Sequence, residues 1–402
     1  MQRTTGVRGT GYGIRTCCDA NGKRTNPGYV VGADNRLLSD GTYTYWYGAE
    51  GNRTARFIDA NHDGVLDAGD TGVTEYMWDA RGRLVRVTDY ATCGGSPTQI
   101  VDYLYDAENR WIGEAVDSNG DGTVDHQIRF AYDGNQIVLE FEKDGAGDLT
   151  AANLSHRYLW DPSVVDHVLA DEQLLPLPPQ EGQGACFDLS TPGNIVWPLA
   201  DRLGTVRDLA VYNAQTGVTS VVNHRVYDSF GNLKSQTNAA VDCLFAFTGR
   251  AFDKSAGLQY NTNRWYDPGT GRWMSKDPIG FNGRDSNLYR YCGNGPINAV
   301  DPTGEGWWPW QWKIWPWNWS RETRDDAADG VVTTIGTQAP AGMSELAGGA
   351  AAVGEMFQAD NFENVCKRNM QFNEFGDPKE YAKWKERYEK VKKWREDAKK
   401  GR

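Results

Sequence analysis

The sequence predicts a mainly β protein built from short antiparallel hairpins, with helix confined to a small C-terminal tail. Three observations lead there: a hairpin-like unit recurs along the chain, Gly and aromatic residues are abundant, and a sustained helical period occurs only near the end. The chain has 402 residues, with 46 Gly and 12% aromatics against 39% apolar residues. Gly supplies the positive φ of tight turns and aromatics favour pleated surfaces. Long buried helices would demand more Leu and Ala.

The recurring unit reads aromatic-Asp-x-x-Gly/Asn-Arg/Asn and then alternates apolar and polar positions. It occurs, with variations, at 47–59, 78–90, 105–117 and 227–237, with a degenerate copy from Cys18. Each copy predicts strand, tight turn, strand, because Asp, Asn and Gly tolerate left-handed backbone and the flanks have period two. Such hairpins bury a face only against their neighbours, so they must stack. Residues 174–194 are rich in Pro, Gly and polar side chains and predict an interrupting loop. Strand character resumes at 197–209 around a turn from Asp201 to Gly204, which is given no catalytic role.

Residues 257–304 pack two Asp-Pro-x-Gly units, beginning at Asp277 and Asp301, around an Asn-Leu-Tyr-Arg-Tyr segment at 287–291. This stretch resembles the RHS repeat-associated core, and the recurring unit resembles the YD repeat. The resemblance implies a spiral or curled antiparallel sheet of YD-repeat hairpins, with the core segment turning inward at its C-terminal end. The repeat region is short for a closed shell, so a partial shell with an exposed edge at its start is expected. The start inside a repeat suggests the C-terminal part of a longer reading frame. The expected organisation is a YD-repeat region at 1–173, a loop at 174–194, last repeats and core at 195–304, and a variable segment at 305–402.

Two insertions have calcium-like spacing. Asp59, Asn61, Asp63, Asp67 and Asp70 stand at positions 1, 3, 5, 9 and 12 of a loop, with Gly64 at 6 and the Val65 carbonyl at 7. Asp117, Asn119, Asp121, Thr123 and Asp125 repeat the scheme through position 9, but Ile128 stands at 12. This is the EF-hand ligand order, with Asp70 in place of the longer Glu. No amphipathic helix flanks either loop, so structural Ca2+ would staple extended hairpins. The competing reading is an acidic turn that uses Asp and Gly for backbone geometry alone.

Some RHS proteins cut their own chain just after the final Asp-Pro-x-Gly, using two carboxylates that share a proton as in an aspartic protease. The resemblance gives these roles to Asp277 and Asp301, with Arg264 beside them. Glu305 stands where the family commonly has Leu, and Arg284, Asp285 and Ser286 replace a glycine-rich approach to Asn287. The alternative is that Asp277 and Asp301 only begin type I turns, with Pro second and Gly fourth.

The net charge is −12, and 305–402 holds 16 basic and 16 acidic residues, so the acidity belongs to 1–304. That excludes a nucleic-acid footprint on the shell. Seven cysteines without a Cys-x-x-Cys pair predict neither a disulfide framework nor a zinc site. All five histidines precede residue 305, and 305–402 contains one cysteine, Cys366. A self-contained His-dependent nuclease or Cys-His protease is thereby excluded from that segment. There is no signal-peptide pattern at the start and no apolar run long enough to span a bilayer. A secreted or surface location, with a larger N-terminal part or secretion machinery as partner, is expected from the resemblance.

Residues 307–319 contain seven of the sixteen tryptophans. They predict a Pro-broken lid over the shell or, with Lys313, an interfacial membrane anchor. Tyr381, Trp384, Tyr388, Val391, Trp394 and Ala398 have helical spacing after Pro378. The leading expectation is a scaffold that presents or encloses its own C-terminal segment. The others are a self-cleaving toxin carrier and a membrane-active C-terminal effector.

Overall fold

A computed structural model describes residues 27–309, apart from 163, 175–186, 188–191, 284 and 307, together with Lys385, Glu389 and Lys392. The chain divides into two units, Met1–Trp317 and Asn318–Arg402. In the second unit the three described residues are helical and exposed. The aromatic stripe expected from Tyr381 to Ala398 lies outside the described residues, as do most of the Trp-rich segment and most of the 174–194 loop.

One sheet of sixteen strands runs in strict sequence order. It begins with β1 (Tyr29–Val31), β2 (Leu37–Asp40), β3 (Thr44–Tyr47), β4 (Arg53–Ile58), β5 (Thr71–Trp78), β6 (Leu84–Thr92), β7 (Pro97–Tyr105) and β8 (Trp111–Asp117). It continues through β9 (His126–Asp133), β10 (Gln136–Asp144), β11 (Leu154–Trp160), β12 (Val168–Gln173), β13 (Asn194–Ala200), β14 (Val206–Asn213), β15 (Val218–Tyr227) and β16 (Leu233–Gln236). The first and last strands do not pair, so the sheet is open. The expected mainly β, antiparallel fold is what the structure shows.

The repeat has a clear physical basis. One oxygen of Asp79 accepts the Arg81 and Arg83 amides, and the other accepts the Arg83 guanidinium at 2.7 Å. Asp106 does the same for Glu108 and Arg110. Gly82 and Asn109 take the left-handed position that closes each turn. The unit's aromatic residue then ties one hairpin to the one before. Trp78 donates to the Arg53 carbonyl, Tyr105 to Leu84, Tyr132 to Trp111 and Trp160 to Ile137. The Arg83 and Arg110 guanidiniums lie over the Tyr105 and Tyr132 rings, 4.9 and 5.0 Å from their centroids. The Asp thus shapes a turn, while the aromatic and the Arg link consecutive hairpins.

Beyond β16 the chain folds onto one face of the large sheet. Strands β17 (Phe252–Asp253), β18 (Leu258–Asn261), β19 (Arg264–Asp267) and β20 (Arg272–Trp273) form a second sheet. β21 (Ala299–Val300) pairs with β22 (Trp308–Pro309). Phe245, Leu258, Tyr260, Trp265 and Met274 share one core with Tyr76, Val87, Tyr103, Trp111 and Phe130 of the large sheet. Trp111 is the hub of this core. It meets Tyr103, Phe130, Tyr260 and Trp265 edge to face, an arrangement favoured by the ring quadrupoles. Polar contacts fix the docking register. Arg53 and Asp267 pair at 2.6 Å with both side chains buried, Arg250 pairs with Asp166 at 2.9 Å, and the Tyr289 hydroxyl donates to the Gly51 carbonyl.

Trp111→Ala should destabilise the full chain by about 3–5 kcal/mol, the cost of emptying a buried aromatic site. Tyr132→Phe removes one hydrogen bond, to the Trp111 carbonyl, and should cost about 1 kcal/mol. Denaturant unfolding of the two variants checks both values; equal losses would contradict this division between core and repeat contacts.

Candidate functional site

The β18–β19 turn grips the last Asp-Pro-x-Gly unit. The Asn261 side chain donates to the Asp301 carbonyl at 2.7 Å, and the Asn263 backbone and side chain both donate to the Thr303 carbonyl. Arg264 Nε donates to the Gly304 carbonyl. Gly304 has φ +73°, and a Cβ there would lie 2.7 Å from the Asn261 oxygen. Only glycine fits this approach.

The structure brings Arg264, Asp277 and Asp301 together. The Arg264 Nη2 atom lies 3.1 Å from Asp277 Oδ2 and 3.3 Å from Asp301 Oδ2. Its guanidinium is 4.1 Å from the Trp273 ring centroid, and Nη1 donates to the Leu288 carbonyl. Both aspartates also begin turns. The Asp277 carbonyl accepts the Gly280 amide, and Asp301 Oδ1 accepts the Gly304 amide at 2.9 Å. Turn formation and the carboxylate cluster therefore coexist in the same residues.

The chain just past the turn runs through this cluster. Asp301 Oδ1 also accepts the Gly306 amide at 3.2 Å. A Cβ at Gly283 would lie 3.4 Å from Asp277 Oδ2 and 3.7 Å from the Glu305 carbonyl oxygen. The bare Gly283 thus lies beside both Asp277 and the Glu305 carbonyl.

Three carboxyl groups face one guanidinium. Burial raises the pKa of Asp301 and of Asp277, with Arg264 opposing in each case. Glu305 is raised by burial and by the charges of Asp277 and Asp301. Burial lowers that of Arg264, although both aspartates support its charge. A site short of positive charge and partly dry favours keeping a proton among its carboxyls.

The two acidic loops join β4 to β5 and β8 to β9, as hairpin extensions. In the first, Asp59 Oδ2 accepts the Gly64 amide, Asn61 accepts the Asp63 amide and Asp63 accepts the Val65 amide. Asp59 Oδ1 is buried without a hydrogen-bond partner. Asp70 directs its two oxygens to the Ala60 and Asp67 amides. In the second, Asp117 accepts four amides, from Asn119, Gly120, Asp121 and Gly122. Asp125 Oδ2 accepts from the amide and hydroxyl of Ser118. The first loop, with its orphaned Asp59 oxygen, fits a hard cation better than the second.

Sequence spacing passed over Glu140, Glu142 and His156, whose ligand atoms lie within 4.8 Å of one another. Their meeting depends on cross-strand register, which primary spacing does not reveal.

The Teneurin YD-shell family model matches residues 182–297. The chain is an RHS/YD-repeat protein. It is 28% identical over 291 residues to the double-stranded DNA deaminase toxin A of Burkholderia cenocepacia, covering 70% of this chain and 18% of that protein. It is 26% identical over 302 residues to the tRNA3(Ser)-specific nuclease WapA of Bacillus spizizenii, covering 74% and 10%. The RHS/YD-repeat chain thus spans a fifth or less of these relatives. The structure of the Photorhabdus luminescens Tc holotoxin pore is similar with a TM-score of 0.44 and 18% identity, over 69% of this chain and 14% of that one.

Glu305 offers a test of the site's electrostatics. Its raised pKa means that the folded site holds a proton that the unfolded segment has already lost. That contribution is complete below the ordinary carboxyl range and is lost as pH rises through the raised value. Glu305→Gln should therefore raise the melting temperature at neutral pH and leave it unchanged near about pH 4. A Gln variant that melts identically to the parent protein at neutral pH would contradict this.

Proposed function

We propose that this chain is a shell segment of a polymorphic toxin, which holds its own variable C-terminal segment and frees it by cutting after Glu305. The YD-shell match and the toxin relatives support the carrier role. One observation supports the cut above all: Arg264 holds both Asp277 and Asp301 beside the segment that contains the Glu305–Gly306 peptide.

The chemistry follows from that placement. Asp277 takes a proton from a water molecule as its oxygen attacks the Glu305 carbonyl carbon. Asp301, next to the Gly306 nitrogen, delivers a proton to the leaving amine as the C–N bond breaks. The products are a new carboxyl on Glu305 and a free amine on Gly306. Arg264 positions the chain through the Gly304 carbonyl and balances part of the carboxylate charge. Glu305 adds a third negative charge to the cluster, so cleavage is slow at neutral pH and faster in mild acid, where one carboxyl carries the required proton.

Intact-mass measurement of the full chain over time tests this. A C-terminal fragment beginning at Gly306 should accumulate faster in mild acid. Asp277→Asn should lower the rate by at least a hundredfold, within the range of general acid–base contributions. Glu305→Leu should accelerate cleavage at neutral pH. A chain that remains whole in the parent and Glu305→Leu proteins at every pH would leave a non-cleaving scaffold.

Ca2+ is assigned to the first acidic loop as a staple between β4 and β5. Asp59, Asn61, Asp63, the Val65 carbonyl and Asp67 would hold it, while Asp70 braces the loop backbone. The orphaned Asp59 oxygen supports this assignment. Saturating Ca2+ should raise the melting temperature, since a ligand of the folded state stabilises it by about 2.7 kcal/mol at a hundred times Kd. Asp63→Ala should remove most of the response. An unmoved melting curve for the parent protein would mean that the loop is an ordinary turn.

A further inference from the structure

Glu140, Glu142 and His156 form a polar cluster on β10 and β11, outside both the acidic loops and the Arg264 cluster. Glu140 is the direct cross-strand partner of His156. Glu142 follows two residues later, on the same face of a strand by the pleat. The register shifts just beyond this pair, where Phe141 faces Leu154. A bulge of this kind re-aims side chains. Here the ligand atoms of all three residues lie within 4.8 Å of one another.

The histidine is oriented from behind. His156 Nδ1 lies 2.7 Å from Oδ1 of Asp171, which is fully buried on β12. That contact assigns the Nδ1 proton toward Asp171 and leaves Nε2 facing Glu142 Oε1 at 3.8 Å. The Tyr158 ring stacks on the imidazole, and its hydroxyl donates to Glu140 Oε2. A carboxylate behind an imidazole, with two more carboxylates in front, is the usual outer-shell and inner-shell arrangement of a metal-binding histidine.

Arg225 and Lys254 both pair with Asp242, and the Lys254 charge is also supported by Glu140 and Glu142. Glu140 is buried, while Glu142 and His156 are partly exposed, so an ion can enter from one side. Ligands of a four-coordinate ion with bonds near 2.1 Å stand about 3.4 Å apart. The observed His156–Glu142 separation needs only a small side-chain adjustment to reach that value.

We propose that Glu140, Glu142 and His156 bind a first-row divalent cation of the Zn2+ or Mn2+ class, with Asp171 as the positioning residue. One imidazole and two carboxylates suit such ions better than Ca2+ or Mg2+, which favour all-oxygen sites. The bound ion would pin β10 to β11 where their ladder shifts register.

The test uses the full chain, stripped with a chelator and titrated calorimetrically with Zn2+. Asp63→Ala and Asp121→Ala are combined in the background to silence the acidic loops. One equivalent should bind, and Mn2+ should give an immobilised electron-paramagnetic-resonance signal that Mg2+ does not displace. Glu142→Gln, isosteric and partly exposed, should weaken Zn2+ binding at least tenfold, and His156→Ala should do so further. Asp171→Asn should weaken it about 10- to 100-fold, as for outer-shell partners generally. Absence of saturable Zn2+ binding, or equal affinity in the background protein and the Glu142→Gln variant, would overturn the proposal and leave His156 as the counter-charge of a buried carboxylate cluster.

Discussion

The docking of the 243–274 segment against the large sheet is the contact on which the rest of the structure depends. An open sheet of sixteen strands has one apolar face that its own hairpins cannot cover. Trp111, Tyr103 and Phe130 supply the receiving side, and Phe245, Tyr260 and Trp265 supply the other. Apolar burial is non-directional and would tolerate sliding. The Arg53–Asp267 pair removes that freedom, because both groups are buried and each alone would be an uncompensated charge. Breaking such a pair costs about 3–5 kcal/mol. Aromatic packing holds the segment, and the ion pair sets its register.

That register also assembles the candidate cutting site. Arg264 lies on β19, one strand in which every residue is buried, so its guanidinium has few places to go. Trp273 stacks beneath it and the Leu288 carbonyl holds one edge. The fixed guanidinium then collects Asp277 and Asp301, each already committed to a turn. Turn formation, burial and charge convergence act together here. The same burial that shapes the site raises the carboxyl pKa values, which is the property the proposed chemistry needs.

Much of this was legible in the sequence because it is local. An Asp followed by Gly or Asn and Arg dictates a turn within five residues, and the aromatic before it marks the strand end. The link from Tyr105 back to Leu84, or from Trp160 back to Ile137, spans two strands and needs the stacked hairpins to exist first. The Arg264, Asp277 and Asp301 grouping was found through family resemblance; spacing alone left two ordinary turns. The Glu140, Glu142 and His156 cluster was missed because a single histidine lacks a spacing signature. Its partners are defined by a bulged register and by Asp171 on a third strand. The acidic loops were located by spacing, but Asp70 turns to its own backbone, a role that an EF-hand template does not anticipate.

Native-state hydrogen exchange on the full chain addresses the central claim most directly. Amides of β18 and β19 should exchange with the same opening free energy as those of β7 to β9, because both sides of the Trp111 core are lost together in one cooperative event. Protection of the two sets should also fall in parallel with added denaturant. Exchange of β18 and β19 through a low-energy local opening, with β7 to β9 still fully protected, would show that the sheet stands without the docked segment and would contradict the account.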